Sequence, residues 1–202
     1  MNQRYIIIEG GIGAGKTTLL RKLEKHYQFS TVLYEYIETD FGKTMLKKYF
    51  KEEITVSTFQ YYILNYWLNE LEKVKKHSIV FMERGPLAGL AFCKEGDFGK
   101  KEFDSFLNYM ITVMTSFNIT NLKFMVINSP ADENEVIKII NSSNDNLVLF
   151  ICASSETLME HVKQRGREGE TAAYSEDFLI KNANDLYNIY QYPLSKIKTL
   201  LK

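Results

Sequence analysis

Short, unbroken apolar runs alternate along this chain with stretches in which apolar residues recur every three to four positions. "RYIII" (4–8), "TVLYEY" (31–36), "SIVFME" (78–83), "NLKFMVINS" (121–129) and "DNLVLFICAS" (145–154) are runs of the first kind. Their length and β-branched content predict buried strands. Between them, "KTTLLRKLEKHY" (16–27) places Leu19, Leu20 and Leu23 at helical spacing. Helices are also predicted over 42–50 and 55–76, the second with Phe59, Ile63, Trp67, Leu71 and Val74 along one stripe. Further helices are predicted over 101–117 and 131–141. Ser154 or Ser155 can cap "SETLMEHVKQR", with Glu156 in its first turn, and Ser175 followed by Glu176 and Asp177 starts a last helix through Tyr190. Strands alternating with helices predict an α/β fold: three layers, α/β/α, around a largely parallel five-stranded sheet. No internal repeat, low-complexity tract or linker interrupts the pattern, so residues 1–202 are expected to form one domain.

Composition narrows the function classes. Lys+Arg and Asp+Glu are equal at 25 each, so no general attraction to polynucleotide or an anionic membrane is expected. The run "IIIEGG" begins within a few residues of Met1, leaving no room for a signal peptide, and no apolar run is long enough to span a bilayer. A cytoplasmic protein is the expectation. Cys93 and Cys152 stand far apart in apolar surroundings and read as buried free thiols. His26, His77 and His161 form no ligand spacing.

The chemistry begins directly after the first strand. Residues 9–18 read "EGGIGAGKTT". Gly10-x-x-x-x-Gly15-Lys16-Thr17 is a Walker A sequence in its required setting, between a strand and a helix. The segment Gly10, Gly11, Ile12, Gly13, Ala14, Gly15, Lys16, Thr17 and Thr18 can curl so that successive N–H groups face phosphates, at the positive end of the next helix. Lys16 can reach the β- and γ-phosphates, and the Thr17 hydroxyl can ligate Mg²⁺. The fold class is therefore that of a P-loop NTPase, with ATP as the nucleotide. No guanine-reading segment of the NKxD type is present. An ATPase that transfers to water and a kinase that transfers to a small molecule both stay open at this point.

Downstream residues favour the kinase. Glu35 is expected at the end of the second strand, beside the phosphate loop, where a carboxylate could take the proton of an attacking hydroxyl. Glu83 and Arg84 in "VFMERG" stand at the end of the third. The carboxylate can help hold Mg²⁺ or its waters, and the arginine can orient Glu35. "QRGREGE" supplies Arg165, Arg167 and Glu170, the composition of a mobile basic lid at about 164–171.

Taken together and in order, "IEGGIGAGKTT", Glu35, Tyr49 ahead of Phe59-Gln60, "ERG" and "RGREGE" resemble the landmarks of the deoxyribonucleoside kinases. That is the family of deoxycytidine kinase, deoxyguanosine kinase and the insect deoxynucleoside kinase. The resemblance implies transfer of the ATP γ-phosphate to the 5′-hydroxyl of a deoxyribonucleoside, with Mg²⁺ held by Thr17 and Glu83. It implies Glu35 as general base, Arg84 keeping Glu35 ionised, and Arg165 and Arg167 closing over the transferring group beside Lys16. Tyr49 and Glu170 would hold the sugar 3′-hydroxyl, Gln60 would read the base edge, and Phe59 would pack near the base. Family members are homodimers, which implies the same here. Phe59 reads equally well as core, Tyr49 and Gln60 as ordinary helix residues, and Arg167 with Glu170 as a surface ion pair.

The pattern also breaks. Where the family has Ser, Asp and Arg after its Glu-Arg pair, this chain has Gly85, Gly89 and Leu90. Trp67 replaces a base-contacting Arg seven residues after Gln60. A strand-helix segment (about 121–141) is inserted, and the 121–129 strand is expected to take the sheet place of the family's final strand. Two other readings stay open: a nucleoside monophosphate kinase of the thymidylate kinase kind, and a non-catalytic nucleotide-binding subunit of a heteromer.

Overall fold

The computed structural model describes residues 3–192, apart from 94, 130, 168 and 169. Five strands form one sheet: β1 (Arg4–Gly10), β2 (Ser30–Leu33), β3 (Ile79–Glu83), β4 (Lys123–Asn128) and β5 (Leu147–Cys152). Their order is β2-β3-β1-β5-β4, and every neighbouring pair is parallel. The expected 121–129 strand lies in the sheet as β4, at its edge, with Lys123 beside Leu147 and Asn128 beside Cys152.

The helices are α1 (Lys16–His26), α2 (Asp40–Phe50), α3 (Val56–Lys73), α4 (Lys100–Ser116), α5 (Glu133–Asn141), α6 (Ser155–Arg165), α7 (Glu170–Ala173) and α8 (Glu176–Gln191). Thr39, Thr55, Asp132, Ser154 and Ser175 cap α2, α3, α5, α6 and α8 through their side-chain oxygens. Ser154, not Ser155, is thus the cap of α6.

Alternate residues of β1 face opposite layers, as the strand repeat requires. Tyr5 and Ile7 pack into a core built with residues of α3, α4 and α8, including Trp67, Leu71, Phe106, Met110 and Leu186. Ile6 and Ile8 pack on the other face with Leu19, Leu20 and Leu23 of α1, Val136 and Ile140 of α5 and Leu158 of α6. Three layers result, with the central strands buried on both sides. That explains their unbroken apolar runs.

Two expectations are corrected. The second strand ends at Leu33, paired with Met82, not at position 36. The Tyr34 carbonyl accepts instead from the Tyr66 hydroxyl of α3 (2.8 Å), which takes the chain off the sheet edge. Glu35 therefore stands two residues beyond the strand and opens the short 3-10 turn Tyr36–Glu38. Of the two cysteines, both free, Cys93 is buried but Cys152 is exposed, at the last position of β5.

Candidate active site at the carboxyl ends of the strands

The loop between β1 and α1 is shaped by its glycines. Gly13 has φ +89, and a Cβ there would come within 2.7 Å of the Leu158 carbonyl, so only glycine fits against α6. The His161 ring, also on α6, contacts the Gly13 carbonyl at 2.6 Å. Lys16 folds over the loop, its Nζ donating to the Gly11 carbonyl at 3.1 Å and to Gly10 at 3.5 Å. Burial is the main reason its ammonium is drawn down to about 8, with Arg84 adding to it and Glu35, Glu83 and Glu9 opposing. Thr18 points to solvent.

The Thr17 hydroxyl donates to Glu83 Oε1 at 2.6 Å, while Glu83 Oε2 is buried without a hydrogen-bond partner. Burial, and then the neighbouring Glu35, push the Glu83 carboxyl up from its usual range. A hydroxyl and a carboxylate with a spare buried oxygen fit a hard cation that takes oxygen ligands. These two residues would hold Mg²⁺.

Arg84 follows β3 in the left-handed region, with φ +64. Its Nε donates to Glu35 Oε1 at 2.9 Å, and its Nη1 to Glu9 Oε2 and to the Gly10 carbonyl, both at 3.2 Å. Burial works against charge on Glu35, but Arg84, then Lys16, Arg167 and Arg165, outweigh it and hold its carboxyl below the usual range. The Glu35 side chain keeps 19% exposure, onto the cavity. Arg84 itself is raised: burial opposes its charge, and Glu35, Glu9 and Glu83 more than compensate.

Arg165 donates through Nε and Nη2 to Glu170 Oε2 at 3.0 and 2.6 Å. Arg167 bridges Glu170, at 3.3 Å, and Glu38. Glu170 is only 1% exposed, while Arg165, Arg167 and Glu38 keep 30%, 17% and 32% of their side chains exposed, so a buried carboxylate is held by partners that reach the surface. Residues 168 and 169 of the expected lid lie outside the described residues.

These groups open on one cavity of about 790 Å³. Lys16, Glu35, Arg84, Arg165, Arg167 and Glu170 supply its charged wall, and Tyr49, Phe59, Gln60, Trp67, Gly89, Cys93 and Phe103 a mostly apolar one. Tyr49 stacks on Phe59, with centroids 5.2 Å apart at 10°. Phe59 is at once wall and core, packed with Tyr36, Met45 and Leu46. Gln60 is 3% exposed, and its Oε1 has no partner. A Cβ on Gly89 would lie 2.7 Å from that oxygen, so the glutamine occupies the space a side chain at 89 would need. Trp67, 1% exposed, fills the core behind.

The structure thus gathers Lys16, Thr17, Glu35, Tyr49, Phe59, Gln60, Trp67, Glu83, Arg84, Arg165, Arg167 and Glu170 around one cavity and its phosphate loop. Sequence reasoning missed Glu9, Glu38 and Tyr174, the last packed edge-on to Phe50 and lining the cavity. A signal existed for Glu9: a carboxylate directly after the apolar run "YIII" of a strand that reads as buried.

Among solved structures, deoxyadenosine kinase from M. mycoides with products dCMP and a flexible dCDP bound aligns at a TM-score of 0.57 and 20% identity, over 93% of this chain and 83% of that one. The same enzyme with dATP bound aligns at 0.57 and 18% identity, over 97% and 96%. The likeness is one of fold, and it is the fold that the motif order led one to expect. No curated protein matches significantly. A family model described as an AAA domain matches residues 5–200, and with a phosphate loop between β1 and α1 in a parallel sheet, the chain belongs to that family of AAA domains.

Proposed function

We propose that this protein is a deoxynucleoside kinase, transferring the γ-phosphate of ATP to the 5′-hydroxyl of a deoxyribonucleoside in nucleotide salvage. The carrying observation is the ion pair between Arg84 Nε and Glu35 Oε1, at 2.9 Å, beside the phosphate loop. A carboxylate kept ionised there suits an acceptor whose proton must be removed, as a hydroxyl's must. Phosphoryl transfer asks of the protein mainly positioning and charge stabilisation. Glu35 takes the 5′-hydroxyl proton, and Arg84 holds Glu35 in place. The loop amides and Lys16 bind the β- and γ-phosphates, and Arg165 and Arg167 close over the transferring group. Mg²⁺, when bound at Thr17 and Glu83, neutralises phosphate charge. Tyr49 and Glu170 grip the 3′-hydroxyl, Gln60 reads the base edge against Phe59, and Trp67 backs the base pocket. We take residues 1–202 as one kinase domain with a lid at about 164–171, acting as a cytoplasmic homodimer on small molecules and not on polynucleotide.

A monophosphate acceptor would need arginines for its own phosphate. Among the described residues, the arginines that line the cavity are Arg84, Arg165 and Arg167, and the roles above already take all three, Arg84 on Glu35 and the other two on the transferring group. A non-catalytic subunit is disfavoured because Gly89 is no vacant remnant: Gln60 fills its space. ATP-dependent phosphorylation of the four deoxynucleosides, their monophosphates and the ribonucleosides tests the assignment. Deoxynucleosides should be the preferred acceptors. Turnover confined to monophosphates would replace it with the thymidylate-kinase reading, and no turnover with any acceptor would leave the non-catalytic one.

A further inference from the structure

Glu9 is the one acidic residue of β1, and its side chain is fully buried. Its carboxylate accepts the Gly85 N–H at 2.9 Å and Arg84 Nη1 at 3.2 Å, so both contacts fall on consecutive residues just past β3. The backbone of Arg84 extends the ladder by one rung, its N–H donating to the Ile8 carbonyl at 3.1 Å. It then turns through φ +64, a conformation that a side-chain-bearing residue rarely adopts. That turn directs the guanidinium back toward β1, so that Nη1 reaches Glu9 and Nε reaches Glu35.

Tyr190, near the end of α8, closes this arrangement from the third side. It is buried beside Glu9, and a Cβ at position 85 would stand 2.7 Å from its hydroxyl. The glycine in "ERG" has a physical reason: the tyrosine hydroxyl takes the room of its side chain. The Phe92 ring lies 5.3 Å from the guanidinium carbon and limits its movement on a further side.

We propose that Glu9 is a positioning residue for phosphoryl transfer: its buried carboxylate, walled in by Tyr190, fixes Arg84 in the left-handed turn and thereby aims Arg84 Nε at Glu35. Glu9 does not touch the reacting atoms. It acts through Arg84, and its consequence for rate rests on the kinase reading above. Arg84 takes part in two bonds with carboxylates of different duty. Glu9, wholly buried, anchors it; Glu35, open to the cavity, is what it holds. A misplacement of about 1 Å at a reacting group can cost on the order of 10²-fold in rate.

The test is Glu9→Gln in the full chain, because glutamine can still accept the Gly85 N–H but carries no charge. With ATP and the best deoxynucleoside, kcat should fall by about 10²-fold while KM for ATP changes little. In ¹⁵N-labelled protein without ligands, the Arg84 Nε–Hε signal, which reports the bond to Glu35, should shift or exchange faster. An unmoved signal overturns the proposal, whatever the rate does. So does an effect carried wholly by KM for ATP, which would mean that Glu9 only shapes the phosphate loop. Should the wild-type chain phosphorylate nothing, the kinase reading fails, and the Arg84 signal alone decides where Glu9 places that side chain. If Glu9→Gln does not fold, Gly85→Ala should disturb the same signal, and Gly85→Ala with Tyr190→Phe should restore it in part. No disturbance in Gly85→Ala would equally overturn the anchor.

Discussion

The two walls of the cavity are built on different principles. The charged wall is carried by the turns that follow β1, β2 and β3 and by the stretch from the end of α6 to the start of α7. Its side chains hold one another: Arg84 bonds Glu9 and Glu35, Thr17 bonds Glu83, and Arg165 and Arg167 share Glu170. The apolar wall is carried by α2, α3 and the short 3-10 segment Pro86–Ala91, and it is held by packing. Tyr49 lies flat on Phe59, Trp67 is sealed in the core, and Gln60 is placed by the emptiness at Gly89. One wall is specified by charge, where a wrong partner leaves a buried ion uncompensated. The other is specified by volume, where one methyl group is enough to move a polar atom. The function proposed above gives the chemistry to the first and the choice of base to the second.

Breaking the charged wall should abolish transfer; breaking the apolar wall should only change what is transferred to. Lys16→Ala should remove detectable phosphoryl transfer with every acceptor, because charge on the transferring group loses the ammonium of the phosphate loop. Steady-state assays over the acceptor panel check this, and wild-type turnover by the variant would undo the kinase assignment. Glu35→Gln keeps shape but cannot take a proton, so kcat should drop by about 10²–10⁴-fold. Its ATP affinity, measured by calorimetry, should scarcely move, since Glu35 lies outside the loop. A variant that kept kcat and lost ATP binding would make Glu35 a phosphate-site residue.

The dependence on pH sharpens the same wall. The Glu35 carboxyl sits below its usual range because Arg84 and the other cations overcome the effect of burial. A base must be ionised, so activity is present above the folded-state pKa and lost as pH falls through it. The acid limb of kcat/KM should accordingly lie below the ordinary glutamate range. Arg84→Gln removes the main opposing charge and leaves burial in place, so whatever activity remains should show its acid limb at higher pH. An acid limb that stays put would detach Arg84 from the ionisation of Glu35. The smallest effect is expected on the apolar wall. Gly89→Ala brings a methyl to 2.7 Å from Gln60 Oε1, and overpacking of this kind costs about 1–3 kcal/mol. The KM for the nucleoside should rise by about tenfold, with the order of base preference altered and the KM for ATP unchanged. Equal kinetics in variant and wild type would take Gln60 out of the base pocket.

Much of the charged wall was legible beforehand. "GGIGAGKTT" announces its own backbone shape, and "ERG" and "RGREGE" are short enough that their charges must act near one another. The apolar runs of the central strands were equally plain, because a parallel strand buried on both faces has few polar positions. Glu9 was passed over: within "IIIEGG" its partner is 75 residues away, and nothing local marks the pairing. The end of β2 was misplaced for a like reason. "TVLYEY" continues the strand composition, but the Tyr34 carbonyl is claimed by Tyr66 from α3.

What the sequence determined by itself was local: which segments are strands and helices, which loop cradles phosphate, and which side chains carry charge. Periodicity, glycine spacing and capping all act within a few residues. What only the tertiary structure decided was pairing and room. It placed β4 at the sheet edge beside β5 and turned Arg84 toward Glu9 and Glu35. It showed Gly85 and Gly89 as the space taken by Tyr190 and Gln60. Those are facts about atoms distant in the chain, and close packing leaves each of them little freedom to be otherwise.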